Sequence, residues 1–322
     1  MSKIYAGVDL GGTSFIAVVA DGKGHVLGSS SSVTTPGLPA AETIGQVADA
    51  ILKAAKDAGV KPSKITAIGV GAAGAVDLER GIVIRAPNLG WTDVPLADEL
   101  RNRVGVKHVV LGNDVQVGII GEHAYGAAKG TSRAVGVWIG TGIGGGLIAN
   151  GEIDRGFRGA AGEVGHMVLK EDGPVCGCGR RGCVEALASR TAMERDVLAS
   201  RRKPKSIVPT IMKERGKDRM TSSVIARALK ANDPVMQEVL AQAQHYLGLL
   251  VGNIVNLYDP EMVVIGGGLA ERLKETFVAP IAELARERFL RPDPQKLIRI
   301  EHATLVDNGS ALGACVLARK MM

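Results

Sequence analysis

Three thiols and an imidazole stand at metal-ligand spacing in this chain. Cys176, Cys178 and Cys183 crowd within eight residues among Gly177, Gly179 and Gly182, and His166 lies ten residues upstream. Three thiolates and one imidazole complete a tetrahedral Cys3His zinc site, and the glycines let the chain turn tightly round the ion. Four protein ligands close such a site, so the expected zinc is structural and not a Lewis acid. Cys315 is remote and reads as a buried core residue. Glu163 and His166 stand either side of Gly165, and Glu185 follows Cys183 by two. Holding His166 and Cys183 on one ion would fix both glutamates and the free imidazole nitrogen in place, and so build a ligand site around the metal.

Glycine turns are the second feature. Asp9-Leu10-Gly11-Gly12-Thr13 brings backbone N–H groups without Cβ obstruction to where an anion can sit, with the Thr13 hydroxyl as a further donor. Asp9, at a strand end, can hold a magnesium ion directly or through water. Gly140-Thr141-Gly142-Ile143-Gly144-Gly145-Gly146 offers a matching cradle, and Gly266-Gly267-Gly268 a third glycine turn. One such turn alone is an ordinary hairpin; two in duplicated contexts point to phosphate. Gly140, Gly142 and Gly145 formally spell G-x-G-x-x-G, but a dinucleotide site needs a helix straight afterwards. Leu147-Ile148-Ala149-Asn150-Gly151 reads instead as strand and hairpin. The phosphate-loop pattern G-x-x-x-x-G-K-[ST] is absent.

The elements that must position these groups repeat. Residues 3–9, 15–20 and 26 onward read as strands, joined by the Gly11-Gly12 turn and by Asp21-Gly22-Lys23-Gly24. A helix over 40–58 follows, apolar at Ile44, Val47, Ile51 and Ala55 and stopped by Gly59. Residues 65–70 and 109–111 read as buried strands, the second ending at Gly112-Asn113-Asp114. The pattern restarts with a strand at 134–139, a glycine turn over 140–146, a strand at 147–149 and a hairpin at Asn150-Gly151. Asp233-Pro234 starts a helix running to about Tyr258, before a strand at 262–265 and the third glycine turn. Two α/β halves, each opening on a β-meander, would set the two glycine turns facing one another across a cleft.

With 322 residues, two domains are expected. Hydrophobic residues at 46% and charged residues at 22% exclude a disordered chain. No run approaches the roughly 18 apolar residues of a membrane span, and the first residues lack a signal peptide's apolar region. A cytoplasmic protein without a membrane partner is expected, and its cysteines favour metal over disulfide. The net charge is +6, and the stretch 201–219 holds eight basic against two acidic residues, which is the whole excess. That local stretch reads as a solvated loop and helix face, with an acidic partner or polyphosphate as the other reading. Ten aromatic residues leave little for base stacking, so no nucleic-acid partner is expected.

The chain resembles the ROK family (repressor, open reading frame, kinase) of bacterial sugar kinases and sugar-responsive repressors along essentially its full length. Cys176-Gly177-Cys178-Gly179-Arg180-Arg181-Gly182-Cys183-Val184-Glu185 fits that family's C-x-C-G-x-x-G-C-x-E. Ala161-Gly162-Glu163-Val164-Gly165-His166 looks like its glutamate-histidine sugar motif; Pro87-Asn88-Leu89-Gly90-Trp91 and Asn113-Asp114 resemble two further sugar-contacting segments. The resemblance implies an actin-like, hexokinase-like ATPase fold: two α/β lobes, each built on a β-meander and mixed sheet, with a small zinc-binding loop at 166–185. The smaller lobe would span 1–115, completed by a C-terminal helix at 308–322, and the larger 116–307. It implies sugar contacts from Asn88, Asn113, Asp114, Glu163, His166 and Glu185, catalysis by Asp114, and zinc on His166, Cys176, Cys178 and Cys183. It implies nucleotide phosphates at Gly11, Gly12, Thr13, Thr141 and Gly142, adenosine near Gly266 to Gly268, and a homodimer. Two departures bear on the sugar pocket. Ala73 stands where relatives usually carry proline, and Val115-Gln116-Val117 where they usually carry small residues and asparagine.

The implied reaction is ATP- and magnesium-dependent phosphorylation of a hexose, glucose to glucose 6-phosphate by likeness to the family's glucokinases. The alternatives are fructose, mannose, N-acetylglucosamine or N-acetylmannosamine as acceptor, and polyphosphate as donor. Carboxylates accept from hydroxyls while asparagine amides donate and accept, a donor set suited to a neutral polyol. Asp114 would take the proton of the attacking hydroxyl. With an ordinary aspartate pKa of ~3.9 that transfer comes late. Two rivals remain. A repressor needs a DNA-binding segment ahead of the strand at residue 3, where none is expected. An actin-like ATPase leaves the metal and carboxylate groups unused.

Overall fold

The computed structural model describes residues 3–35, 37–202, 204–305 and 308–322. Met1 and Ser2, Lys203 of the basic stretch, and Val306 and Asp307 at the end of the expected larger lobe lie outside the described residues. The chain divides into two compact units. The first runs to Gly130 and resumes at Thr304, and the second is Thr131–Ala303.

The first unit contains β1 (Ile4–Leu10), β2 (Ser14–Asp21), β3 (Val26–Val33), β4 (Ile65–Ala72), β5 (Ala75–Asp77), β6 (Ile82–Ala86), β7 (Trp91–Val94) and β8 (Val109–Asn113). Its main sheet has the order β3-β2-β1-β4-β8, antiparallel through the meander and parallel from β1 to β8. β1 and β4 are apolar almost throughout, because both faces are covered. β3, at the edge, carries the serine run 29–32 and is mostly exposed. Strands β5, β6 and β7 form a small antiparallel sheet of their own. The helix Ala40–Asp57 buries Ile44, Val47, Ile51 and Ala55 at the spacing of one helix face, as its sequence predicts.

The helix Gly309–Lys320 lies directly against β1 and β4. That approach requires glycine at two strand positions: a Cβ on Gly7 or Gly69 would fall 1.9 Å from the carbonyl oxygen of Ala311 or Ala314. The helix Asp114–Tyr125 packs on the same C-terminal helix, so the first unit extends past the division expected at residue 115. The buried Glu122 fixes this helix. Its carboxylate accepts from the N–H groups of Ala127 at 2.7 Å, Thr304 at 2.9 Å and Leu305 at 2.7 Å, and from Thr304 Oγ1 at 3.1 Å.

The second unit repeats the pattern with β9 (Ala134–Ile139), β10 (Ile143–Ala149), β11 (Glu152–Asp154), β12 (Met262–Gly266) and β13 (Arg299–His302). The order β11-β10-β9-β12-β13 again runs antiparallel through the meander and parallel beyond. Asn150 and Gly151 both take positive φ, 52° and 75°, and close the β10–β11 hairpin that their sequence predicts. The helix Pro234–Tyr258 starts on Asp233, whose carboxylate accepts from the N–H groups of Val235 and Met236 at 2.9 Å.

One expectation fails locally. The glycine turn is Gly140 to Gly142 only, and Gly144, Gly145 and Gly146 lie in β10, opposite Trp138, Val137 and Gly136. A Cβ on Gly145 would meet the Gly162 carbonyl oxygen at 2.4 Å, so the glycine here admits a neighbouring backbone and does not turn the chain. The G-x-G-x-x-G match therefore runs into a strand, as required for its rejection. The third glycine run is a strand-to-helix junction: β12 ends at Gly266, Gly267 has φ 91°, and a short helix begins at Gly268.

Candidate active site and metal centre

In the first unit, Asp114 opens the helix Asp114–Tyr125 straight after β8. Asn113 caps that helix. Its Oδ1 accepts from Val115 N at 3.0 Å and Gln116 N at 3.2 Å, and its Nδ2 donates to the Gly74 carbonyl at 3.1 Å. Asn113 thus fixes where Asp114 stands, with one amide hydrogen left over. The Val115 N–H also reaches Asp114 Oδ1 at 3.0 Å. A helix N-terminus favours a carboxylate at this position.

The first glycine turn lies between β1 and β2. Gly11 N donates to Ser14 O at 3.0 Å, and Thr34 clasps the turn, its N–H on Thr13 O at 3.0 Å and its hydroxyl on Gly11 O at 2.9 Å. Asp9 is half-buried on β1, opposite Ile16 and Gly71. Asn88 is exposed on the short 3-10 turn Pro87–Leu89. A Cβ on Gly12 would come within 2.5 Å of Asn88 Cβ, so the glycine turn and the Asn88 segment interlock. Gly12→Ala should therefore displace one of them and destabilise the protein by about 1–3 kcal/mol. Thermal unfolding checks this, and an unchanged midpoint would refute the tight approach.

Ala73 and Val117, two of the departing residues, have packing or bonding partners in the first unit. Ala73 donates its N–H to Leu10 O at 3.0 Å, a bond proline cannot make. Val117 is fully buried and its side chain occupies the space over Gly71, where a Cβ would lie 2.2 Å from Val117 Cγ2. Its bulk goes into the core of the unit.

In the second unit the four predicted ligands converge. One ligand atom from each of His166, Cys176, Cys178 and Cys183 lies within 4.8 Å of the others. His166 Nδ1 is 3.7 Å from Cys176 Sγ, and Cys178 Sγ is 3.7 Å from Cys183 Sγ. A tetrahedron with zinc–sulfur bonds of about 2.3 Å has an edge of about 3.8 Å, so the donor set fits such an ion. Burial pushes the Cys176 thiol up to about 12, whereas hydrogen bonds from the Arg180 backbone and side chain bring Cys178 down to about 6. Cys315, buried in the first unit, is also pushed up to about 12 by burial and takes no part.

Glu185 links this cluster to the second glycine turn. Its Oε2 accepts from Ile143 N at 3.0 Å, and its Oε1 lies 3.4 Å from Cys176 Sγ. Glu163 is exposed just before the 3-10 turn Val164–His166. Gly165 lets that turn lie on the start of β10, since a Cβ there would fall 1.9 Å from Ile143 O. Thr141 is exposed at the turn and accepts from Arg190 Nη2 at 2.8 Å. Arg190 belongs to none of the sequence motifs. The basic stretch is partly neutralised: Arg202 pairs with Glu238 and Arg219 with Glu194. Gly266, Gly267 and Gly268 stand at the end of β12 beside β9, a Cβ on Gly267 falling 2.4 Å from Ile139 O. Among the described residues no helix is long and apolar enough to cross a membrane.

These two units have close counterparts. The profile described as ROK family matches residues 5–321. A glucokinase of Streptomyces coelicolor is 32% identical over 316 residues, covering 98% of this chain and 97% of the relative. A xylose repressor of Caldicellulosiruptor bescii is 30% identical, with 97% of this chain and 77% of the repressor covered. Among solved structures, a ROK family glucokinase from Streptomyces griseus in complex with glucose and AMPPNP superposes with a TM-score of 0.85 at 31% identity, covering 98% of this chain and 99% of that one. The twin mixed sheets, each opening on a β-meander, are those of the actin- and hexokinase-like fold. The chain belongs to the ROK family, as a sugar kinase related to bacterial glucokinases and xylose repressors.

Proposed function

We propose that this protein transfers the terminal phosphoryl group of ATP to the exocyclic hydroxyl of a hexose, with glucose as the leading acceptor. The observation that carries the reading is Asp114 at the first position of its helix, placed by Asn113, which caps the helix and donates to the Gly74 carbonyl. Phosphoryl transfer needs positioning and charge stabilisation more than covalent help. Asp114 accepts the hydroxyl proton as the oxygen attacks phosphorus. Asn88, Glu163, Glu185 and His166 hold the remaining hydroxyls, while Asn113 acts mainly by placing Asp114. Amides of the Gly11–Gly12–Thr13 and Thr141–Gly142 turns take phosphate oxygens, and Gly266 to Gly268 adjoin the adenosine.

Asp9 is the oxygen donor suited to magnesium, which keeps most of its waters and takes phosphate oxygens besides one or two carboxylates. When bound, that ion supplies positive charge at the phosphates. His166, Cys176, Cys178 and Cys183 would hold a zinc ion with four protein ligands, which would keep the loop in shape and would not act in the reaction. His166 Nδ1 is turned toward the cluster; with the ion on that nitrogen, Nε2 would carry the hydrogen and would donate to a sugar oxygen. The same reading takes the protein to be a cytoplasmic homodimer without a nucleic-acid partner.

A coupled assay tests the substrate. Hexoses and amino sugars, each with ATP and with polyphosphate, are compared by kcat/KM. Glucose with ATP is expected to lead. A preference for another sugar or for polyphosphate overturns the choice of substrate. ATP hydrolysis indifferent to every sugar overturns the kinase itself and favours an actin-like ATPase.

A further inference from the structure

Arg190 is the first residue of the helix Arg190–Ala199. It grips the second glycine turn twice, its N–H on the Gly140 carbonyl at 3.0 Å and its Nη2 on Thr141 Oγ1 at 2.8 Å. Its surroundings are electrostatically adverse. A cation at the start of a helix faces the positive end of the macrodipole. Arg219 adds a second positive charge nearby, its own guanidinium committed to Glu194 at 3.1 Å and Thr191 Oγ1 at 3.2 Å. Burial first, and then the charge of Arg219, pull the Arg190 pKa below the ordinary arginine value, with Glu194 alone opposing. Among the described residues no carboxylate stands within ion-pair distance of the Arg190 guanidinium. A half-buried cation in this position is stabilised when an anion joins it.

Thr141 completes the argument. Its oxygen accepts from the guanidinium, so its single hydrogen is directed elsewhere, and the residue is exposed. The helix start and the turn together therefore present a fixed guanidinium beside an oriented hydroxyl donor.

We propose that Arg190, acting with Thr141, binds the phosphate chain of the nucleoside triphosphate at the β9–β10 turn. This deepens the kinase reading and rests on it for the identity of the ligand. Arg219, already shared with Glu194, is an outer charge of smaller effect.

The test is calorimetric binding of ATP, ADP and AMP to the full chain, without turnover. R190Q should weaken ATP at least about tenfold, the scale of a lost charged hydrogen bond, while AMP changes by less than about twofold. R190K should recover part of the ATP affinity. T141V combined with R190Q should lose less than the two single changes together, because both act on one phosphate contact. Equal losses for ATP and AMP, or unchanged ATP affinity, would overturn the proposal. If R190Q fails to fold by circular dichroism, R190K carries the test with the same ATP-against-AMP contrast. A wild-type chain that binds ATP more tightly than AMP yet phosphorylates no hexose would sink the kinase reading and leave the phosphate clamp standing. Normal hexose kinase activity with R190Q binding ATP like wild type would do the reverse.

Discussion

Asp114→Asn is expected to fold, to bind hexose, and to lose at least about a hundredfold in kcat, the lower end of general-base effects. The substitution keeps the side chain's shape and removes its capacity to accept a proton. Folding should survive because the helix start does not rest on the Asp114 carboxylate alone. Asn113 supplies the cap through Val115 and Gln116, and Glu122 anchors the other end to Thr304 and Leu305. The discriminating measurement pairs steady-state kcat with hexose affinity on the same preparation. Loss of kcat at unchanged affinity assigns Asp114 to the chemical step. A kcat within a few-fold of wild type would remove Asp114 from that role, and a parallel loss of hexose affinity would make it a binding group. Asn113→Ala should behave differently. It loses a helix cap, typically about 1 kcal/mol, and releases the Gly74 contact, so it acts on stability and on the placement of Asp114 together.

Local patterns made much of this legible. Each β-meander is written in consecutive residues, with turns at Gly11-Gly12 and Asn150-Gly151. The metal cluster is likewise nearly local: Cys176, Cys178 and Cys183 lie on one loop, and only His166 comes from outside it. What sequence could not show was decided by distant partners. Gly144 to Gly146 read as a turn because glycine usually marks one, yet the backbone at Gly162 explains why β10 needs a glycine there. Glu185 looked like a sugar ligand alone, but it also holds Ile143 across 42 positions of sequence. Arg190 reaches Thr141 across 49 positions, and no motif announces it. One signal was present: an arginine at the first position of a helix opposes the helix dipole and calls for a compensating anion.

Removing the metal should have the second large effect, and it should fall on the sugar more than on the nucleotide. Elemental analysis of native protein is expected to find one zinc per chain at the four-residue cluster. Cys178→Ser is the variant of choice, since Cys178 is exposed whereas Cys176 and Cys183 are buried. Losing the ion frees the His166 ring and the Cys183 cap of the short helix Val184–Ala188, which carries Glu185; both residues are proposed sugar contacts. Hexose affinity should drop by at least about tenfold, the scale of a lost hydrogen bond to a charged group. AMP affinity should hold, because β9 and β12, which ends at Gly266, are ordered by strand pairing that does not involve the cluster. Acidification should mimic the variant. Thiolates are the ligands, and protons compete for them as pH falls. Cys178, with its thiol near 6, is the readiest to bind, while Cys176, near 12 without a metal, ionises only with the ion's help. Metal content and hexose affinity should therefore decline together as the pH falls. Native protein free of zinc would show that the cluster does not hold it, and a metal-free Cys178→Ser chain with undiminished hexose affinity would show that the cluster does not shape the sugar site.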